Sequence, residues 1–224
     1  MNRIKALVAK MPVYGRIACA VTLATHLLSY YIPLIFNANV GPESMTLLSV
    51  DERIPYIPGF VYIYVGAFVF WAVMYIYIYT MDRRLVVRVV TADSISKVVG
   101  ILFYVLKPCW LDQSTFISDI SGFGSWLLKL IYKLDEPTNL LPSMHCFVSI
   151  MVVLPLFSRF SNAKPWVKCC AAAYALLVCA STVLIRQHVF ADVWTAAVDA
   201  GVSWCVSLLV WQLIDKKAEQ KKAG

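Results

Sequence analysis

Six long apolar runs, separated by short charged segments, constrain this chain more than any other feature. They fall at roughly 16–37, 59–80, 92–107, 142–158, 166–186 and 188–214, against the ~20 residues a helix needs to cross a bilayer. Only 15% of the 224 residues are charged, where a soluble domain carries about 25%. In lipid every backbone N–H and C=O must be satisfied within its own segment, which leaves helices as the natural solution. The expected fold class is therefore all-α. It is a polytopic bundle of six transmembrane helices forming one integral membrane domain over residues 1–224. The first run is too long for a signal peptide and no A-x-A-like cleavage site follows it.

Positive charge sets the direction of threading. One set of segments carries Arg3, Lys5, Lys10 and Arg16, then Arg83, Arg84, Arg88 and Lys97. The same side continues with Arg159, Lys164 and Lys168, and ends with Lys216, Lys217, Lys221 and Lys222. The positive-inside rule makes that side cytoplasmic. A chain in the cell membrane with both termini cytoplasmic satisfies the asymmetry. The segment 108–141 and the turn Arg186–His188 then face outward together. Within that segment, Ile117 to Leu134 has apolar residues near helical spacing and two lysines, the pattern of an interfacial amphipathic helix. "DERIPYIP", from Asp51, reads as a rigid outer turn, with Arg53 a remote candidate for substrate contact.

The net charge of +7 follows from this topology, and no zinc-finger or basic-aromatic pattern points to nucleic acid. Seven cysteines cannot all pair internally. Most lie in apolar runs, where a thiol behaves as a small hydrophobe, while Cys109 is expected to be exposed. No CxxC or other metal-ligand spacing occurs, so neither metal nor cofactor is expected.

The chemistry concentrates in two places. His188 and Asp192 are four apart, one turn of a helix. A carboxylate there can hold one imidazole nitrogen and leave the other basic and oriented, as nucleophilic and general-base histidines require. "NLLPSMHC", Asn139 to Cys146, opens the fourth run. Pro142 suits a first helical turn, whose outward amides and dipole favour an anion such as phosphate. Ser143 adds a donor and His145 a second titratable group. The topology puts both clusters at one membrane level, which suggests phosphoryl transfer. Tyr132, Asp135 and Asn139 precede Pro142 and either shape the entrance or are simply loop. His26 reads as a tolerated histidine in the first run, and Asp199 as a buried interhelix acceptor.

These residues resemble the type 2 phosphatidic acid phosphatase superfamily. Pro142, Ser143 and His145 match its Pro-Ser-x-His signature, and Ser181, His188 and Asp192 match its third signature in spacing. The resemblance implies a metal-independent phosphatase or phosphotransferase acting on lipid phosphates, with a catalytic core over about 104–200. It assigns His188 as nucleophile, Asp192 as its orienting carboxylate and His145 as the acid for the leaving alkoxide. Ser143, Arg186, Lys107, Ser181 and Thr182 would hold the phosphoryl oxygens. Two departures stand out. Thr182 replaces the arginine after Ser181, with Arg186 a turn later, and "RQHxxxD" resembles a branch near inositol phosphoceramide synthases. Lys107-Pro108 is the nearest match to the first signature, but Gly100 stands where its lysine should. The expected partners are a lipid phosphate substrate and membrane lipids. The alternatives to hydrolysis are head-group transfer to a lipid hydroxyl and lipid binding or transport without turnover.

Overall fold

The computed structural model describes residues 11–37, 43–44, 48–111, 121–134 and 140–223, and about 80% of them are helical. In chain order the elements are α1 (Val13–Asn37), β1 (Glu43–Ser44), α2 (Ser49–Arg53), α3 (Val61–Tyr79) and α4 (Arg83–Leu106). There follow β2 (Cys109–Trp110), α5 (Ser125–Leu134), α6 (Met144–Met151), α7 (Pro165–Leu184) and α8 (Phe190–Ala223). Short 3-10 turns, Pro58–Phe60 and Leu154–Phe157, precede α3 and follow α6.

Among the described residues, five helices are long and apolar enough to cross a membrane: Val13–Phe36, Pro58–Tyr79, Arg83–Leu106, Pro165–Leu184 and Phe190–Lys221. The sixth apolar stretch, Met144–Phe157, is shorter. At 1.5 Å per residue it spans about 21 Å, against a hydrocarbon core of about 30 Å. Of the six expected spans, five have full length among the described residues and the sixth is this short stretch. Lipid-facing surfaces are apolar, with Val69, Leu176, Val202 and Leu209 well exposed.

Helix α4 corrects the sequence reading most. The third run seemed to start near residue 92, with the preceding charges in a loop. The helix instead begins at Arg83, capped by the Asp82 side chain, which accepts from the Arg84 N–H. Its interior charges are partnered. Lys97 lies 2.7 Å from Asp93, one turn away, and both are buried. The Tyr75 hydroxyl donates to the same carboxylate at 2.7 Å. Arg88 is buried and bonds Asp215 of α8 at 2.6 Å. Unpaired charges in this position would be expensive, and paired ones are tolerated. Helix α4 packs against α1 and α8, and α6 is held between α7 and α8. Asp199 accepts from Ser96 of α4 and from Ser203 at 3.1 Å, so it is an interhelix acceptor.

Where α3 begins, α5 packs against the 3-10 turn Pro58–Phe60 and the first turn of α3. It realises the amphipathic segment from Ser125 on, with Leu128 and Tyr132 buried and Trp126 exposed. Residues 117–120 of that expectation lie outside the described residues, as do Asp135 and Asn139. Gly124 adopts φ 87°, a left-handed conformation costly for other residues, and its added Cβ would stand 3.0 Å from Val61. Strands β1 and β2 pair in parallel, Glu43 with Cys109. Cys109 is buried, not exposed as its loop position suggested, because this pairing and Leu111 and Leu140 cover it.

Candidate active site

The turn between α7 and α8 positions His188. Helix α7 ends in a Schellman motif: the Gln187 N–H donates to the Thr182 carbonyl at 3.0 Å and the Arg186 N–H to the Val183 carbonyl at 3.1 Å. Arg186 holds the left-handed position, φ 55°, where glycine is usual. Its guanidinium explains the exception. It donates to the carbonyls of Asp51 at 2.7 Å and Ile54 at 2.6 Å, locking the turn onto α2. The Tyr132 hydroxyl donates to the Ile185 carbonyl from the other side. Burial pushes this phenol well above its ordinary pKa, so it remains a donor at any working pH. The His188 N–H then bonds the Thr182 carbonyl at 3.1 Å.

This placement gives Arg186 a structural task that its spacing in the sequence does not announce. The sequence reading put it one turn beyond Thr182, but α7 stops at Leu184 and the chain reverses. Replacing Arg186 by alanine is expected to destabilise the protein by about 1.5–3 kcal/mol, the usual worth of charged hydrogen bonds. A lower midpoint of thermal unfolding in detergent checks this. An unchanged midpoint would mean that the two carbonyl contacts hold nothing.

His188 Nδ1 lies 3.0 Å from Asp192 Oδ2, and both residues are buried. The same oxygen accepts the Val189 N–H at 3.2 Å. Asp192 sits in the first turn of α8, where a helix dipole favours a negative charge. The second cluster is tied directly to this one. Ser143 caps α6, its hydroxyl accepting from the Cys146 N–H at 3.4 Å, and its own N–H donates to the Asp192 carbonyl at 3.2 Å. Pro142 therefore precedes the cap and does not occupy the first turn. The Tyr104 hydroxyl of α4 holds the Pro142 carbonyl.

His145 follows on the first turn of α6. Its ring stacks on Tyr64, centroids 3.9 Å apart and planes at 19°. Phe68 and Trp71 flank it at 5.4 and 5.0 Å. Those three aromatics recur at helical spacing along α3, and His145 Nε2 is buried without a hydrogen-bond partner among the described residues.

His145 and His188 line one cavity of about 370 Å³, walled by Tyr30, Tyr64, Phe68, Trp71 and Tyr104. His26 lines it too, its ring 6.3 Å from that of Trp71. The sequence reading passed over His26 because no carboxylate neighbours it. Its position as an ionisable group inside a span was the available signal. Ser143, Lys107, Arg186, Ser181 and Thr182 are not among the lining residues. Ser181 and Thr182 donate back to their own helix, to the carbonyls of Val178 and Cys179. Lys107, at the end of α4, is exposed, and so is Arg53. Among the described residues, no group of three or more His, Cys, Asp or Glu side chains could hold a metal ion.

A helical bundle of membrane-spanning length, with two histidine-bearing helix starts joined backbone to backbone beside one cavity, defines a class of integral membrane protein. The family model of the PAP2 superfamily matches residues 83–219, and the chain belongs to that superfamily. Its members are phosphatases and phosphotransferases acting on phosphate esters. Comparison with curated proteins and with solved structures returned no match. The matched segment carries both clusters, while the wall formed by α1 and α3 lies before it.

Proposed function

We propose that the protein is a lipid phosphatase working through a phosphohistidine. His188 Nε2 attacks phosphorus, a P–N bond forms, and the P–O bond to the lipid breaks. Asp192 holds the proton on Nδ1 and stabilises the imidazolium that develops. His145 donates a proton to the departing alkoxide, then takes one from the water that cleaves the P–N bond and frees phosphate. What supports this reading most is that His145 and His188 line the same cavity while Asp192 engages the far nitrogen of His188. Phosphatidic acid, prenyl diphosphates and phosphatidylglycerophosphate are substrates of fitting chemistry. The active site would face outward from the cell membrane, with both termini cytoplasmic.

One observation favours a second reading, head-group transfer from a phosphodiester to a lipid hydroxyl. No lysine or arginine stands among the described residues lining the cavity. A diester carries one negative charge and needs less cationic grip than a monoester dianion.

Phosphoenzyme trapping tests the proposal. Purified protein incubated with a phosphate-labelled lipid in the presence of chelator should retain label after alkaline quench, lose it in acid, and retain none as His188→Ala. Label that survives this substitution would remove the nucleophile. Label that moves to an added lipid alcohol, with little free phosphate, would favour transfer.

A further inference from the structure

The end of the bundle where α4 begins carries a second constellation. Asp192 and Asp215 lie on the same helix, α8, 23 residues or about 35 Å apart at 1.5 Å per residue, so this end is remote from the histidines. Arg84, Arg88 and Arg159 converge there on the ring of Phe160, at 6.0, 4.7 and 4.8 Å. Arg88 is buried and neutralised by Asp215. Arg84 and Arg159 are exposed, and among the described residues neither has a carboxylate within ion-pair distance.

Two cavities adjoin at this point and share Arg88, Arg159 and Gln212. One, of about 360 Å³, is charged: Arg84, Arg88, Arg159 and Lys216 line it against Asp215 and Glu219. The other, of about 580 Å³, is largely apolar, lined by Leu154, Phe157, Trp204 and Leu208. An excess of cations opening onto an apolar slot between helices suits a ligand with an anionic head and a hydrocarbon tail. The short 3-10 turn after α6 makes the slot, because Met144–Phe157 stops well before the neighbouring helices do.

We propose that this is a binding site for an anionic phospholipid, its phosphate between Arg84 and Arg159 and an acyl chain along Phe157 and Trp204. Guanidinium groups bind phosphate oxygens in pairs and stack on aromatic rings, which orients both arginines here. Basic pockets between spans are a general means of holding such head groups. The site is independent of the reaction proposed above.

Native mass spectrometry on lipid-stripped protein, titrated with phosphatidylglycerol or phosphatidylcholine, tests it. Phosphatidylglycerol should bind more tightly. The double variant Arg84→Gln/Arg159→Gln should weaken it about thirtyfold, each basic residue beside an anionic head contributing about fivefold. Both side chains are exposed, so the fold should tolerate the change. Lys129→Gln/Lys133→Gln removes the same charge from exposed positions of α5, beside the histidine end of the bundle, and should leave binding within about twofold, since surface charge beyond the Debye length is screened. Equal binding of the two lipids would overturn the proposal. So would equal loss in the α5 variant, or displacement by millimolar inorganic phosphate as complete as by lysophosphatidylglycerol, which would show that the apolar slot takes no part.

Discussion

Asp192→Asn is expected to lower turnover roughly thousandfold to ten-thousandfold, the loss seen when the carboxylate behind a catalytic histidine becomes an amide. The geometry gives the reason. Asp192 Oδ2 accepts from His188 Nδ1 at 3.0 Å and from the Val189 N–H at 3.2 Å. An asparagine has one acceptor oxygen. If its NH2 takes the place of Oδ2, the amide opposes Nδ1 and forces the imidazole proton onto Nε2, the atom proposed to attack phosphorus. If its oxygen takes that place, both bonds persist but the imidazolium loses its counter-charge. Substrate binding needs neither effect, so KM should change little while kcat falls. The bond from the Ser143 N–H to the Asp192 carbonyl is a backbone contact and survives. Thermal unfolding should therefore shift only slightly. Turnover within tenfold of the native protein would remove Asp192 from the mechanism.

The legibility of this chain divides along physical lines. Local spacing carried the His188–Asp192 pair, because four residues on a helix start is itself the geometry. The apolar runs carried four of the long helices for the same reason. Window averaging failed at α4, where Arg88, Asp93 and Lys97 depress hydropathy but are neutralised by Asp215 and by one another. A sequence shows charges, not their partners 127 residues away, the separation of Arg88 and Asp215. The structural task of Arg186 was hidden differently. Its spacing from Thr182 assumed a continuing helix, and nothing in "IRQHV" marks a left-handed residue where glycine is absent. The cavity wall was least legible. The spacing of Tyr64, Phe68 and Trp71 does not say what they face, and only the packing of α3 against α6 turns them onto His145.

That aromatic box makes the second large prediction. His188 has a carboxylate to fix its ring, whereas His145 lacks an ion pair among the described residues and is oriented by stacking. If His145 protonates the leaving alkoxide, its removal must hurt most where the leaving group is poor. His145→Ala should slow release from an alkyl lipid phosphate about 10²–10⁴-fold, the usual worth of a general acid. An aryl phosphate with a stable phenolate leaving group should slow less than about tenfold, since little proton transfer is needed. Tyr64→Leu removes the stacked face and lets the imidazole tilt, and misplacement by about 1 Å costs on the order of a hundredfold. It should therefore show the same split between substrates, smaller in size. Tyr64→Phe keeps the face and should restore both rates. Equal slowing of both substrates in Tyr64→Leu would mean a damaged fold and no orienting role. A split in His145→Ala without one in Tyr64→Leu would keep the acid and discard the box. No split in either would discard the acid itself, leaving the stack as packing between α3 and α6.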